Sequence, residues 1–482
     1  MPLQHDLPPY PSEDSGRMPP PQSGTPVWGR GRRILAAAVT VALFLVGATA
    51  CGTTDGSTAS KSSPAPKEPF TPAQLAQAWK SPSPEGGALR TPLMATWRTK
   101  TAYYVGRGTG VEILDPATGR KLGVVTPPEP DMHPCGMTEG LSSQGLGAIA
   151  WIKGDPLHYK ASCDRVSLID TRNGSAIVWT KQISGAPLDG KPLTNDTTRL
   201  AFLAGDVLAV MTPNTIVGMR PDGAEAWTWR NAGVSANQYV LNWDMSAHQD
   251  RIMVMIGVEG GPEGWRYWVT TLDATGRELS PEPVPMTHAH GGHVYLVGAA
   301  PMAAIATPPA FEEGVKPELV TFTRDGRVAK RIPLDPSAGP VQLSWTKRLG
   351  RSARFDIAFN QTTAYLVAGQ PFSNKEPTQI VALDLETGAT KWAQPADPIS
   401  TPRFLGADAD GVYVLGGKAS QDMSVNAYAA KDGAKTQIST VKAPDEALSM
   451  PSLVVEYNAG NLALTEPGRG TFGTLMFRAP TP

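Results

Sequence analysis

The chain has 482 residues, with 43 Lys and Arg against 44 Asp and Glu and a formal net charge of −1. That balance excludes the basic excess on which nucleic-acid binding depends. Charged residues make up only 18%, while 49 Gly and 46 Pro raise the turn formers well above their usual share. Many short strands joined by tight turns fit this composition better than a helical bundle.

Residues 1–33 carry eight prolines and few apolar side chains. They cannot bury a core and are expected to be a disordered, Pro-rich cytoplasmic tail or an extended n-region. Arg30, Arg32 and Arg33 precede an uncharged run over residues 34–50, ILAAAVTVALFLVGATA. As a helix this run spans about 25 Å, within the range accepted for a membrane-crossing segment. Its basic N-terminal flank predicts that the rest of the chain lies on the extracytoplasmic face of the cell membrane. The run ends Ala48-Thr49-Ala50-Cys51-Gly52, which resembles a bacterial lipoprotein signal, although Ala48 stands where Leu is usual. The resemblance implies lipidation of Cys51; an uncleaved signal-anchor helix is the alternative. Both place the remainder outside.

Residues 51–87 hold Cys51 and then a Ser/Thr/Pro/Lys-rich tether that is expected to be flexible. Thr71-Pro72 reads as an N-cap followed by Pro at the first helical position, so AQLAQAWK is expected to be a short helix. After the break SPSPEGG the main domain is expected to run over residues 88–482. With Cys51 assigned to lipidation, Cys135 and Cys163 are the remaining pair, and outside the cell they are expected to form one disulfide. Two unpaired buried thiols are the alternative, and neither Cys belongs to a CxxC pair.

The main domain is a repeat. Seven times an apolar alternating run meets a turn containing Gly, usually after Asp, and a second short run follows, as in VEILDPATGRKLGVV, VSLIDTRNGSAIVW and IVALDLETGATKW. The turn glycines are Gly119, Gly174, Gly223, Gly276, Gly326, Gly388 and Gly433, on average about 52 residues apart, the size of one four-stranded propeller blade. Asp can fold its carboxylate onto the following backbone N–H groups, and Gly supplies the positive φ of a tight hairpin. Alternation puts Val381 and Leu383 on one face and Ile380 and Ala382 on the other. Both faces are apolar, as a blade packed between two neighbours requires. Trp179, Trp227 and Trp392 are expected in the seams between blades. An eighth unit, NLALTE followed by TLMFRA, lacks the Asp–Gly turn. The expected fold is therefore an all-β propeller, eight blades favoured and seven possible, closed by a strand donated from around residues 89–97.

The unit IVALDLETGATKW resembles the repeat of the pyrroloquinoline-quinone-like propeller family, and VEILDPATG and TTLDATG match its first half. The family contains quinone-dependent dehydrogenases and also non-enzymatic lipoprotein propellers of the cell envelope. The dehydrogenase branch uses calcium, acidic and amide ligands and a catalytic Asp, and in most of its alcohol dehydrogenases a disulfide between adjacent cysteines. No two cysteines are adjacent here, so the resemblance points to the non-enzymatic branch, without a quinone and without catalytic residues. One cluster invites metal chemistry: His288, His290 and His293 in THAHGGHVYLV are candidate ligands for zinc or copper. A polar loop entering a strand explains the same residues without a metal. The expected function is a membrane-tethered, protein-binding scaffold with an envelope protein as partner. A quinone- or metal-dependent enzyme or carrier, or an extracellular sensor, is the alternative.

Overall fold

In the computed structural model the chain divides after residue 66, and residues 67–482 form a compact unit. The structure describes residues 73–83, 93–154, 163–183, 198–212, 215–231, 240–248, 250–259, 265–280, 284–286, 293–299, 301–307, 316–334, 345–346, 354–355, 357–369, 378–396, 402–417, 422–442, 453–458, 460–466 and 472–479. The tail, the apolar run over residues 34–50 and Cys51 lie outside the described residues.

The second unit is a propeller of eight four-stranded antiparallel blades. Blade 1 comprises Leu93–Arg98, Tyr103–Arg107, Gly110–Leu114 and Lys121–Val124. Blade 2 comprises Met132–Met137, Leu146–Lys153, Arg165–Asp170 and Ala176–Gln182. Blade 3 comprises Arg199–Phe202, Leu208–Thr212, Thr215–Met219 and Glu225–Arg230. Blade 4 comprises Val240–His248, Arg251–Glu259, Trp265–Asp273 and Val284–Pro285, and blade 5 His293–Ala299, Met302–Thr307, Glu318–Phe322 and Val328–Pro333. A short hairpin, Trp345–Thr346 with Arg354–Phe355, separates blade 5 from blade 6. Blade 6 comprises Ile357–Phe359, Thr363–Ala368, Gln379–Asp384 and Thr390–Pro395, and blade 7 Arg403–Ala407, Gly411–Gly416, Met423–Ala429 and Lys435–Val441. Blade 8 comprises Val454–Asn458, Asn461–Thr465 and Thr474–Arg478, completed by Ala73–Lys80 from the N-terminal side.

This last strand corrects two expectations. AQLAQAWK is a strand rather than a helix, and it closes the ring in place of residues 89–97, so the propeller begins before residue 88. Leu93–Arg98 is instead the first strand of blade 1. Leu75 and Trp79 fit one helix face, but pairing decides the conformation. Residues 73–75 run parallel to Lys435–Val441, and residues 76–80 run antiparallel to Thr474–Arg478 with a bulge between Gln77 and Trp79. Two strand edges that would otherwise be open are thereby covered.

Each blade is buried on both faces. In blade 6, Val381 and Leu383 pack with Ala303, Ile305 and Leu319 of blade 5. Ile380 and Ala382 pack with Val412, Val414 and Tyr428 of blade 7. Apolar alternation on both faces is thus the sequence counterpart of two interfaces per sheet. The first strands lie next to one another around the ring and are linked by polar clasps. Arg199 of blade 3 pairs with Asp244 of blade 4 at 3.3 Å, and the Arg403 guanidinium donates to the Leu453 carbonyl at 3.0 Å. At the closing seam, Tyr103 donates to Glu456 at 3.0 Å, and Thr96 also donates to Glu456. Burial, reinforced by the Glu456 charge, pushes the Tyr103 hydroxyl well above its ordinary range.

The turns behave as their residues require. All seven repeat glycines have positive φ, from 59° at Gly174 to 83° at Gly223. Asp115 accepts from the Ala117 and Thr118 amides at 2.6 and 3.2 Å, and Asp384 accepts from Glu386 and Thr387 at 3.1 and 2.7 Å. These hydrogen bonds, the Ala117 amide first for Asp115 and the Thr387 amide first for Asp384, hold both carboxyls below their ordinary value.

Candidate protein-docking site on the outer rim

Four of the eight blade seams are finished at the rim by tryptophan. Trp179, on the fourth strand of blade 2, donates its indole N–H to the Pro221 carbonyl in the turn of blade 3 at 3.0 Å. Trp227 of blade 3 reaches Ala274 of blade 4 at 2.8 Å, and Trp392 of blade 6 reaches Ala430 of blade 7 at 3.1 Å. The fourth case closes the ring: Trp79 donates to Pro116 of blade 1 at 3.0 Å. In every case the indole covers the turn glycine of the next blade, so that a Cβ on Gly119, Gly223, Gly276 or Gly433 would meet the ring.

The four tryptophans occupy one register position. Trp179 pairs with Leu168, Trp227 with Gly218, Trp392 with Ala382 and Trp79 with Met476, and a bulge lies beside each pair. In blade 1 the same position, paired with Ile113 and beside the same bulge, holds Gly123. A Cβ placed on Gly123 would meet no atom within 4 Å, but in blade 2 the turn position of Gly119, just before the residue opposite the turn's Asp, is held by Ser175 with a φ of 67°, whose side chain bonds Tyr104 of blade 1. At the seams of blades 4 and 5 and of blades 5 and 6 the turn is covered without tryptophan: Ser280 and Thr271 meet Gly326, and Ile332 lies 3.4 Å from a Cβ on Gly388.

The seam of blades 1 and 2 is well made beneath the rim. Met94, Trp97, Tyr104 and Val111 pack with Ile149, Trp151 and Ile169, and the Tyr104 and Ser175 hydroxyls are 2.8 Å apart. The outer strands of these two blades carry exposed apolar side chains. Leu122, Val124, Ile177 and Val178 are 48, 50, 36 and 48% exposed, the large apolar side chains left outside among the described residues, all on two adjacent outer strands. Nearby charges are paired within the rim, Lys121 with Glu112 at 2.9 Å and Arg172 with Asp170 at 3.1 Å. Exposed apolar side chains with locally compensated charge suit a protein–protein contact.

The other candidate residues fall as follows. Cys135 and Cys163 form a disulfide with Cα atoms 6.1 Å apart, tying the first strand of blade 2 to the entry of its third. His288 and His290 lie outside the described residues, while His293 opens blade 5 opposite Thr307. Among the described residues no three His, Cys, Asp or Glu side chains converge as metal ligands. The buried ionisable groups are engaged in the ring. Arg107, lowered to about 10 by burial against the attraction of Glu112 and Glu466, donates to the Gly473 carbonyl at 3.2 Å. Gly123 and its four apolar neighbours escaped the sequence reading. The signal was present: GRKLGVV has Gly where GATKW has Trp.

No family model and no curated protein matches this chain. Solved structures resemble this chain at low identity. BamB from Moraxella catarrhalis is 13% identical over 80% of this chain and 95% of its own, with a TM-score of 0.43. A eukaryotic initiation factor is 12% identical over 84% and 94%, with a TM-score of 0.46. The β-propeller domain of the Trilobed protease from Pyrococcus furiosus, described as having an open velcro topology, is 11% identical over 74% and 99%, with a TM-score of 0.37.

Proposed function

We propose that this chain is a membrane-tethered, extracytoplasmic scaffold that binds another protein of the cell envelope through its outer rim. The observation that carries the reading is the exposure of Leu122 and Val124 on the outer strand of blade 1 and of Ile177 and Val178 on the outer strand of blade 2. A rigid ring presents such a surface without an ordering cost on binding. The basic-flanked apolar run and the Cys51 motif support the tether.

Two measurements test the proposal. Mass spectrometry of the mature protein is expected to find a diacylated Cys51 as its first residue, or an intact chain held by residues 34–50; a soluble cytosolic chain would overturn the tether. A photo-crosslinking residue at Val124 of the full chain is expected to trap one envelope protein in cells that the same residue at Gln437, on blade 7, does not trap. Equal or absent trapping at both positions overturns the rim as a docking surface.

A further inference from the structure

We propose that Asn173 is a site of spontaneous modification: its carboxamide condenses with the Gly174 amide to a succinimide, which water opens to aspartate or isoaspartate, adding a carboxylate to the turn of blade 2. The conversion is independent of the docking reading, whereas its effect on the rim rests on that reading.

Residue order and turn length coincide at this one place. Asn173–Gly174 is the only Asn–Gly step in the chain, and glycine puts no side chain beside the attacking nitrogen. Six of the seven repeat glycines donate their amide to a carbonyl at the start of the turn at 2.8–3.0 Å, as Gly119 does to Asp115 and Gly388 to Asp384. Gly174 does not. The Asp170 carbonyl is taken by the Asn173 amide instead, at 3.3 Å. The cause is an extra residue. Asp170 pairs with Ala176 across a turn of five residues, against four between Asp115 and Arg120 and between Asp384 and Ala389. Two successive left-handed residues absorb it, Gly174 at a φ of 59° and Ser175 at 67°.

The carboxamide is accessible as well. Asn173 is exposed, its side chain has no hydrogen-bond partner among the described residues, and a Cβ on Gly174 would meet nothing within 4 Å. Asn360 shows the protected case. Its carboxamide oxygen accepts from the Thr362 and Thr363 amides at 3.0 and 2.8 Å, and its nitrogen donates to the Tyr365 hydroxyl and the Asp408 carbonyl, both at 3.0 Å.

The Gly174 nitrogen adds to the Asn173 Cγ, its proton passes through solvent to the departing nitrogen, and ammonia leaves. Both reacting groups belong to adjacent residues, so ring closure pays no cost of bringing two molecules together. Water then adds to either ring carbonyl. Across the sequence one water is consumed, one ammonia is released and no electrons are exchanged.

The product changes the rim. The new carboxylate shares a turn with Asp170, which already holds Arg172 at 3.1 Å. Isoaspartate also lengthens the main chain by one methylene two residues before Ser175, whose hydroxyl is 2.8 Å from that of Tyr104. Ile177 and Val178 follow on the outer strand. A charge beside an apolar docking surface must be desolvated on binding, so the converted form holds the partner more weakly.

The test incubates the full chain, in detergent micelles and mildly alkaline buffer, and separates aspartate from isoaspartate at position 173 by electron-transfer fragmentation of its peptides. Because the turn supplies no protection, conversion is expected within about tenfold of the rate in a synthetic peptide of residues 168–178, while Asn360 keeps its amide. Slower conversion at Asn173, or equal conversion at Asn360, overturns the proposal. Photo-crosslinking from Val124 in cells is expected to fall at least about threefold in Asn173→Asp and to stay unchanged in Asn173→Gln. Conversion with equal trapping in both variants overturns the effect on the rim and leaves the modification site; trapping in neither variant nor the wild type overturns the docking reading instead.

Discussion

Replacing Trp79 by Ala tests whether the closing strand is held by the same device as the covalent seams. The indole is 6% exposed, packs edge-on to Tyr103 at 6.3 Å and donates to Pro116 at 3.0 Å. Removing a buried aromatic of this size costs about 3–5 kcal/mol, of which the indole hydrogen bond accounts for about 1 kcal/mol. Trp79→Phe keeps most of the apolar contact and is expected to lose about 1–2 kcal/mol. Because no covalent turn joins Ala73–Lys80 to blade 8, the loss falls first on local opening. At 1.4 kcal/mol per factor of ten, about 4 kcal/mol speeds exchange of the amides between Ala73–Lys80 and Thr474–Arg478 by about a thousandfold. Hydrogen exchange read by mass spectrometry at these two strands, with blade 4 as an internal reference, measures this directly. A change below tenfold, or one spread evenly over all blades, would refute the assignment of closure to Trp79.

Three further outcomes follow from the ring. Cys135→Ser with Cys163→Ser is expected to destabilise blade 2 by up to about 3.5 kcal/mol through the loop it frees, measured as the drop in urea midpoint relative to the oxidised protein. Asp244→Ala leaves the buried Arg199 guanidinium without its carboxylate partner and is expected to cost about 3–5 kcal/mol, whereas Arg199→Met with Asp244→Leu recovers most of it; equal losses in the single and double variants would show that the pair is not coupled. Asp384 has a depressed carboxyl, so its stabilisation is complete above the unfolded carboxyl's value and is lost as pH falls through the lower folded one. Asp384→Asn is therefore expected to flatten the acid limb of the stability curve below the ordinary value of 3.8, and an unchanged limb would remove this turn from the acid response.

What the sequence made legible was what is local. The Asp–Gly turns, the alternation in QIVALD and the tryptophans at positions 179, 227 and 392 are each written within about 15 residues, and the structure places them in hairpins and seams. The closing strand was illegible for the opposite reason. AQLAQAWK spaces Leu75 and Trp79 four apart, as one helix face would, and only pairing with residues 435–441 and 474–478 makes it extended. Its bulge between Gln77 and Trp79 also breaks the two-residue alternation that would have marked it. The seam of blades 1 and 2 was half legible. Comparing the units shows Gly123 where others have Trp, but that Ser175 meets Tyr104 there depends on how neighbouring blades stack. The His cluster in THAHGGHVYLV was legible as residues, yet His288 and His290 fall outside the described part of the chain.

The clasp of blade 8 also sets an order on biogenesis. The Thr474 amide bonds to the Ser81 hydroxyl, 393 positions earlier, so a strand that leaves the ribosome among the first must wait for one of the last. Until then blades 7 and 8 each keep a bare margin, and so long a separation makes the final step slow. A helper that shields unfinished sheet margins during folding would act on these two blades before any other part of the molecule.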